Sequence, residues 1–225
     1  MPPPPPPLLL GHRGARAYAA ENTFDAFALA LEHGCDGFEF DVRLSSDDRA
    51  LICHDADFAR VPVAENTWAN LAKLQGGLMP LLEHVMKHYA AKAFLDIELK
   101  VPGLDDEVLD ALRDYPPQHG YVVSSFLPQV IESLGKREKK LRLGFICDDK
   151  RWLGKWRELP VEVVAPHYGL VDEALVRELH AAGKQVYVWT VNRAEAMQQM
   201  AELGVDAIIS DDTQLLSRTL RPRKS

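Results

Sequence analysis

Short apolar runs alternate along the chain with segments whose apolar positions recur at helical spacing. The rhythm predicts strand Leu8–Gly11, helix Phe24–His33, strand Gly37–Leu44 and a short strand Leu51–His54. Helix Leu81–Ala90, strand Ala93–Lys100 and helix Leu104–Asp114 follow, the last closed off by Pro116-Pro117. Further on, strands Tyr121–Ser124, Leu141–Cys147, Val161–Ala165, Gln185–Val191 and Ala207–Ser210 are expected, with helices Pro128–Lys136, Val171–Ala182 and Ala194–Glu202 between them.

Strands that alternate with helices imply a mainly parallel sheet in an α/β protein. About eight such units in 225 residues fit a small (β/α)8 TIM barrel. A doubly wound open sheet is the other candidate, but its usual GxGxxG turn is not supplied by Gly11-His12-Arg13-Gly14. No linker or solenoid repeat divides the chain. We expect one barrel domain over 8–220, a proline-rich stub over 1–7, a short insertion over 56–79 after the second strand region, and a basic tail over 221–225.

Composition narrows the picture. With 47% hydrophobic and 26% charged residues the chain is neither disordered nor collagen-like. A domain this long buries roughly 70% of its unfolded surface and needs no disulfide or structural-metal staple. Its three cysteines, Cys35, Cys53 and Cys147, are odd in number and widely spaced, which favours a reducing compartment. The net charge of −7 argues against nucleic acid or anionic lipid as partner, while leaving room for a small phosphate ligand. No apolar stretch approaches the ~20 residues of a membrane helix, so no stable membrane insertion is expected. The start, Met1 and Pro2 to Pro7, has no basic n-region and reads as a cytoplasmic beginning. Its prolines favour an extended polyproline stub, as a disordered tail or an SH3-type ligand. Arg221-Pro222-Arg223-Lys224 reads as a solvated end.

The chemistry begins at Phe38-Glu39-Phe40-Asp41-Val42, where a period of two puts Glu39 and Asp41 on one face and the apolar residues on the other. Leu95-Asp96-Ile97-Glu98-Leu99-Lys100 repeats the pattern, with Glu98 and Lys100 nearest the carboxyl end, where a barrel carries its active site. Carboxylates brought together inside a sheet repel unless a cation or proton intervenes. Glu39, Asp41 and Glu98 form an all-oxygen set suited to a divalent metal such as Mg²⁺ or Ca²⁺, whereas zinc favours nitrogen and sulfur. The plain alternative is a solvated polar face on an edge strand. His12 and Arg13 follow the first strand, and His54-Asp55 ends the short one. Two imidazoles at strand ends can divide general acid and base work near neutral pH, and Arg13 can hold a phosphate oxygen.

His12-Arg13-Gly14, Glu21-Asn22-Thr23, Glu39-Phe40-Asp41-Val42 and His54-Asp55 together resemble the signature of the glycerophosphodiester phosphodiesterase family. Pro80-Leu81-Leu82-Glu83, Glu98-Leu99-Lys100, Ser125-Phe126, Trp189-Thr190-Val191-Asn192 and the run Gly204 to Asp211 look like its later motifs, in order. The resemblance implies a TIM-barrel hydrolase that uses a divalent metal to cleave glycerophosphodiesters to sn-glycerol 3-phosphate and an alcohol. It implies His12 and His54 as the acid/base pair and Glu39, Asp41 and Glu98 as metal ligands. Arg13 and Lys100 match phosphate-contacting positions, Glu21 and Asn22 support the site from the first loop, and Trp189 walls the glycerol side. By analogy with related phosphoinositide phospholipases, either the substrate's 2-hydroxyl attacks first, giving a cyclic phosphate, or water attacks directly.

Departures from the family pattern are local. Ala20 stands where proline is common, and Ser210-Asp211-Asp212-Thr213 replaces a Thr-Asp-x-Pro ending, a change expected to touch the last loop and not the chemistry. The stretch 56–79 is about half the usual insertion and has Ala59-Arg60-Val61-Pro62 where the family has Arg-Thr-Thr. Its apolar residues, Phe58, Val61, Val63, Trp68, Leu71, Leu74, Leu78 and Met79, read as scattered, which favours a small soluble substrate. The competing functions are a lysophospholipase D-like hydrolase of lipid phosphodiesters and a non-catalytic phosphate-ligand-binding barrel.

Overall fold

The computed structural model describes residues 5–74, 76 and 79–221. Eight strands form the barrel: β1 Leu8–Gly11, β2 Gly37–Leu44, β3 Phe94–Leu99, β4 Tyr121–Ser125, β5 Leu143–Cys147, β6 Val163–Pro166, β7 Gln185–Val188 and β8 Ala207–Ser210. Each runs parallel to its neighbours, and β1 pairs with both β8 and β2, so the sheet closes on itself. Helices α1 Phe24–Glu32, α2 Leu82–Tyr89, α3 Asp105–Asp114, α4 Pro128–Arg137, α5 Glu173–Ala181, α6 Ala194–Leu203 and α7 Thr213–Leu220 accompany the strands. Between β5 and β6 the chain makes only a 3-10 turn, Leu153–Glu158. The (β/α)8 barrel therefore stands, and the open doubly wound sheet does not.

Strand periodicity sorts β2 as its sequence dictates. Phe38, Phe40 and Val42 turn outward into the main core, where Phe27 of α1 stacks on Phe38 at 4.3 Å between ring centroids. A fully buried aromatic contributes about 1.5–3 kcal/mol through its apolar surface, so this seam fixes α1 against β2. Thr23 caps α1, its side chain accepting from the Ala26 N–H. Gly37 allows the closest strand contact, since a Cβ there would lie 1.8 Å from the Phe94 carbonyl oxygen. Inside the barrel, Leu10, Phe94, Val122, Val163, Tyr187 and Ala207 pack the lower layers into a solid floor.

Three expectations change. The short strand, expected over Leu51–His54, spans Ala50–Ile52 and runs antiparallel to β2 with Val42 opposite Ile52, so it is a flap on the barrel and not a further βα unit. Most of the insertion's apolar residues are not scattered, although Val61 lies outside the cluster and Leu74 is exposed. Val63, Leu71 and Met79 join Leu51, Cys53, Ala72 and Leu81 in a small core, with Phe58 and Trp68 packed on it. That core is built around a hairpin (Asp57–Phe58 with Val61–Pro62) and a helix, Trp68–Leu74; Leu78 lies outside the described residues. Helix α7 follows β8, where no helix was expected.

The two ends of the described chain meet each other. Pro7 is buried, and its carbonyl accepts from Arg221 Nη2 at 3.3 Å. Arg221 also grips both oxygens of Asp36, at 2.9 and 2.6 Å. Residues 1–4 and 222–225 lie outside the described residues. Among the described residues, no helix is long and apolar enough to cross a membrane.

Candidate active site

The carboxyl ends of β1, β2 and β3 build the polar half of the site. Cα register sets Glu39 beside Asp96 and Asp41 beside Glu98. All four face inward and are buried. Ligand atoms of Glu39, Asp41 and Glu98 lie within 4.8 Å of one another. Glu39 Oε1 and Asp41 Oδ1 have no hydrogen-bond partner. Buried acceptors left open in a ring of oxygens fit a hard divalent cation, because such a cation would satisfy them and offset their mutual repulsion. Burial pushes Glu39 well above the usual carboxylate range, with the charges of Asp41, Glu98 and Asp96 adding to it. Burial and the Asp41 charge likewise raise Glu98 to about 7, against the pull of Lys100. Asp96, raised by burial to about 7, takes a bond from Ser124 Oγ at 2.6 Å.

The loop after β1 grips these acids. Gly11 permits its turn, since a Cβ there would stand 2.7 Å from the Gly14 carbonyl oxygen. Arg13, at φ 53, donates its backbone N–H to Glu39 Oε2 at 2.8 Å, and its Nε lies 3.3 Å from Asp41 Oδ2. Glu21 accepts from Arg13 Nη1 at 2.8 Å. Asn22, at φ 58, donates from Nδ2 to Asp41 Oδ2 at 2.8 Å and accepts from the Asp41 N–H. Arg13 and Asn22 both take left-handed backbone, and that turn is what aims their bonds at the acids. Lys100 Nζ bonds to Glu98 Oε1 and lies 3.4 Å from Asp41 Oδ1. Burial works against the charge of Arg13 and of Lys100, but the surrounding carboxylates prevail and raise both.

Each imidazole is oriented by an acid. His12 Nδ1 lies 2.7 Å from Asp211 Oδ1, and His54 Nδ1 lies 2.7 Å from Asp55 Oδ1. A carboxylate only accepts, so Nδ1 carries the proton in both rings and Nε2 is left for chemistry. His12 Nε2 lies 3.9 Å from Glu39 Oε2. Burial holds His54 below the usual imidazole range, helped by Lys100 and Arg13 and opposed by Asp41 and Asp55. The His54 carbonyl is anchored by Arg43 Nε at 2.7 Å. For Asp211, burial alone would raise the carboxyl, but His12, Asn192 and Arg16 bring it down to about 2.

The other half of the rim is apolar. Phe126, Ile146, Ala165, Trp189 and Ile209 face the polar residues across a cavity of about 190 Å³. Trp189 is held by its Nε1–H bond to the Ala165 carbonyl at 2.8 Å and meets Phe126 edge to face at 5.4 Å.

His12, Arg13, Glu39, His54, Glu98, Lys100 and Trp189 thus line one cavity; Asp41 lies buried among the acids, and Glu21 and Asn22 brace them. Sequence reasoning missed Asp211 and Asn192. Asn192 Nδ2 donates to Asp211 Oδ2 at 2.6 Å and Asn192 Oδ1 accepts from the Asp211 N–H at 2.9 Å. The available signal was position: Asp211 directly follows the last strand, and barrel closure puts that end beside His12.

Fold and site define a (β/α)8 barrel with a carboxylate cluster and paired histidines at its carboxyl rim. Residues 12–215 match the glycerophosphoryl diester phosphodiesterase family, and the chain belongs to it. It is 29% identical to a glycerophosphodiester phosphodiesterase of Caldanaerobacter subterraneus, over 95% of this chain and 98% of that one. The solved glycerophosphodiester phosphodiesterase of Thermotoga maritima superposes with a TM-score of 0.84 at 25% identity, covering 94% of this chain and 97% of that one. An Oleispira antarctica phosphodiesterase, solved in complex with its product sn-glycerol-3-phosphate, shares the fold with a TM-score of 0.82 at 24% identity, over 95% and 96% of the two chains.

Proposed function

We propose that this chain hydrolyses glycerophosphodiesters to sn-glycerol 3-phosphate and an alcohol, with His12 and His54 as the acid/base pair. The observation that carries the reading is the meeting of two acid-oriented imidazoles, three clustered carboxylates and two cationic side chains in one cavity. Glu39, Asp41 and Glu98 would hold Mg²⁺ or Ca²⁺. When bound, that cation supplies Lewis-acid stabilisation of the charge on the phosphoryl oxygens. Arg13 and Lys100 bind the phosphate and orient it. Trp189, with Phe126, bounds the glycerol carbons.

The two Nε2 atoms move the protons. One imidazole takes the proton from the attacking oxygen while the other delivers one to the departing alcohol, as a new P–O bond forms and the old one breaks. The same pair serves attack by the substrate's 2-hydroxyl, with later opening of the cyclic phosphate, and direct attack by water. The unpaired, buried cysteines and the acidic net charge support a cytoplasmic enzyme acting on a small soluble diester.

A substrate panel tests the reading. Glycerophosphocholine, glycerophosphoethanolamine and glycerophosphoglycerol should each release sn-glycerol 3-phosphate in Mg²⁺ or Ca²⁺, and none should in excess EDTA. Turnover of lysophospholipids alone would favour the lipid hydrolase, and binding without turnover the non-catalytic barrel.

A further inference from the structure

Asp96 is a buried acid that the proposed chemistry does not use. It is 2% exposed, lies outside the Glu39, Asp41 and Glu98 cluster, and lines the catalytic cavity. Ser124 Oγ donates to its Oδ1, and among the described residues no hydrogen bond reaches Oδ2. A carboxyl group has several acceptor positions, and one bonded only through Oδ1 leaves Oδ2 open to the cavity it lines. Such a group in a ligand cavity is explained when the ligand brings the missing donor.

Strand geometry says which donor. Asp96 precedes Glu98 by two residues on β3, so it lies about 6.6 Å deeper along the strand than the rim acids. A phosphodiester gripped at the rim by Arg13 and Lys100 keeps its 2-hydroxyl near the histidines. The end of the three-carbon chain then points down toward Asp96, with Ile146, Ala165 and Ile209 on the facing wall. The geometry points to Asp96 as the specificity-determining acceptor for the free terminal hydroxyl of the glycerol unit. A carboxyl oxygen accepts from a hydroxyl in either ionisation state, so the assignment is independent of titration. A 1-acyl diester has no donor there.

This inference rests on the proposed phosphodiesterase activity, and the test separates the two. The probes are the p-nitrophenyl diester of sn-glycerol 3-phosphate and that of propane-1,2-diol 1-phosphate, which lacks only the terminal hydroxyl. The wild-type protein should prefer the glycerol diester in kcat/KM by about a thousandfold or more, as sites built around a substrate hydroxyl do. In Asp96→Ala the preference should shrink below about tenfold. Asp96→Leu, close to aspartate in shape and compatible with Ile146 and Ile209, should behave the same and guards against a variant that merely misfolds. A wild-type preference under tenfold overturns the assignment while leaving the phosphodiesterase reading intact. So does an undiminished preference in either variant. Failure of the wild type to cleave both probes overturns both.

Discussion

His12 Nδ1 and Asp211 Oδ1 lie 2.7 Å apart, joining the loop after the first barrel strand to the loop after the last. His12 also donates its backbone N–H to the Ser210 carbonyl at 2.8 Å, so the ring and its acid are held on one frame. Asn192 donates to the acid's other oxygen, Oδ2, and Arg16 Nη1 lies 3.5 Å from Oδ1. The last loop, expected to leave the chemistry untouched, sets the tautomer of one proposed acid/base residue.

Asp211→Asn should therefore lower kcat by about a hundredfold or more with little change in KM, because an amide can donate to Nδ1 and invert the ring's tautomer. Long-range ¹⁵N spectra of His12 should report the loss of the Nδ1 proton. Unchanged spectra together with near-normal turnover would reduce Asp211 to a structural contact.

His12→Ala and His54→Ala should each reduce kcat by about a hundredfold or more without loss of fold, the scale of removing a general acid or base. Circular dichroism and steady-state kinetics check this together. Near-normal turnover in either variant would remove that histidine from the mechanism.

The buried acids make the stability of metal-free protein depend on pH. Asp96 and Glu98 are held up to about 7, above the unfolded values of about 4, so folding favours their protonated forms. Their stabilising contribution is full below about pH 4 and is lost as pH rises through about 7. Asp211, lowered to about 2, has the opposite sign: its contribution is present above about pH 4 and fades as pH falls toward 2. In EDTA, Tm should fall between pH 5 and pH 8. Mg²⁺ or Ca²⁺ should raise Tm at pH 8 far more than at pH 5, because the cation binds the ionised cluster. Equal shifts at the two pH values would count against Glu39, Asp41 and Glu98 as ligands.

Leaving-group preference should be weak. Among the described residues, the cavity is lined from the barrel strands and their loops and by His54, which follows the flap, and by no residue of the insertion. The small core of the insertion includes Cys53, the chain neighbour of His54, and none of its described residues lines the cavity. We expect kcat/KM for glycerophosphocholine, glycerophosphoethanolamine and glycerophosphoglycerol to differ by less than about tenfold, since one good pocket feature is worth ~1–3 kcal/mol and the described residues build none beyond the rim. A thousandfold preference for one headgroup would reveal a pocket made by other means.

The site's polar half was legible in the chain because strand alternation is a local rule. Phe38, Phe40 and Val42 must face the helices, so Glu39 and Asp41 must face inward, and the same parity places Glu98 and Lys100. The strand-helix alternation likewise determined a parallel barrel and put His12 at its carboxyl rim. What local patterning leaves open is which distant segments meet. The flap Ala50–Ile52 reads as an ordinary strand, and only its pairing with β2 makes it antiparallel. The apolar residues of 56–79 lack a clear period because they converge from a hairpin and a helix onto the flap. Asp211 stands 199 residues from His12, and no periodicity spans that separation. Closure of β8 onto β1 brings them into contact, since a barrel leaves no free edge and its end strands must pair.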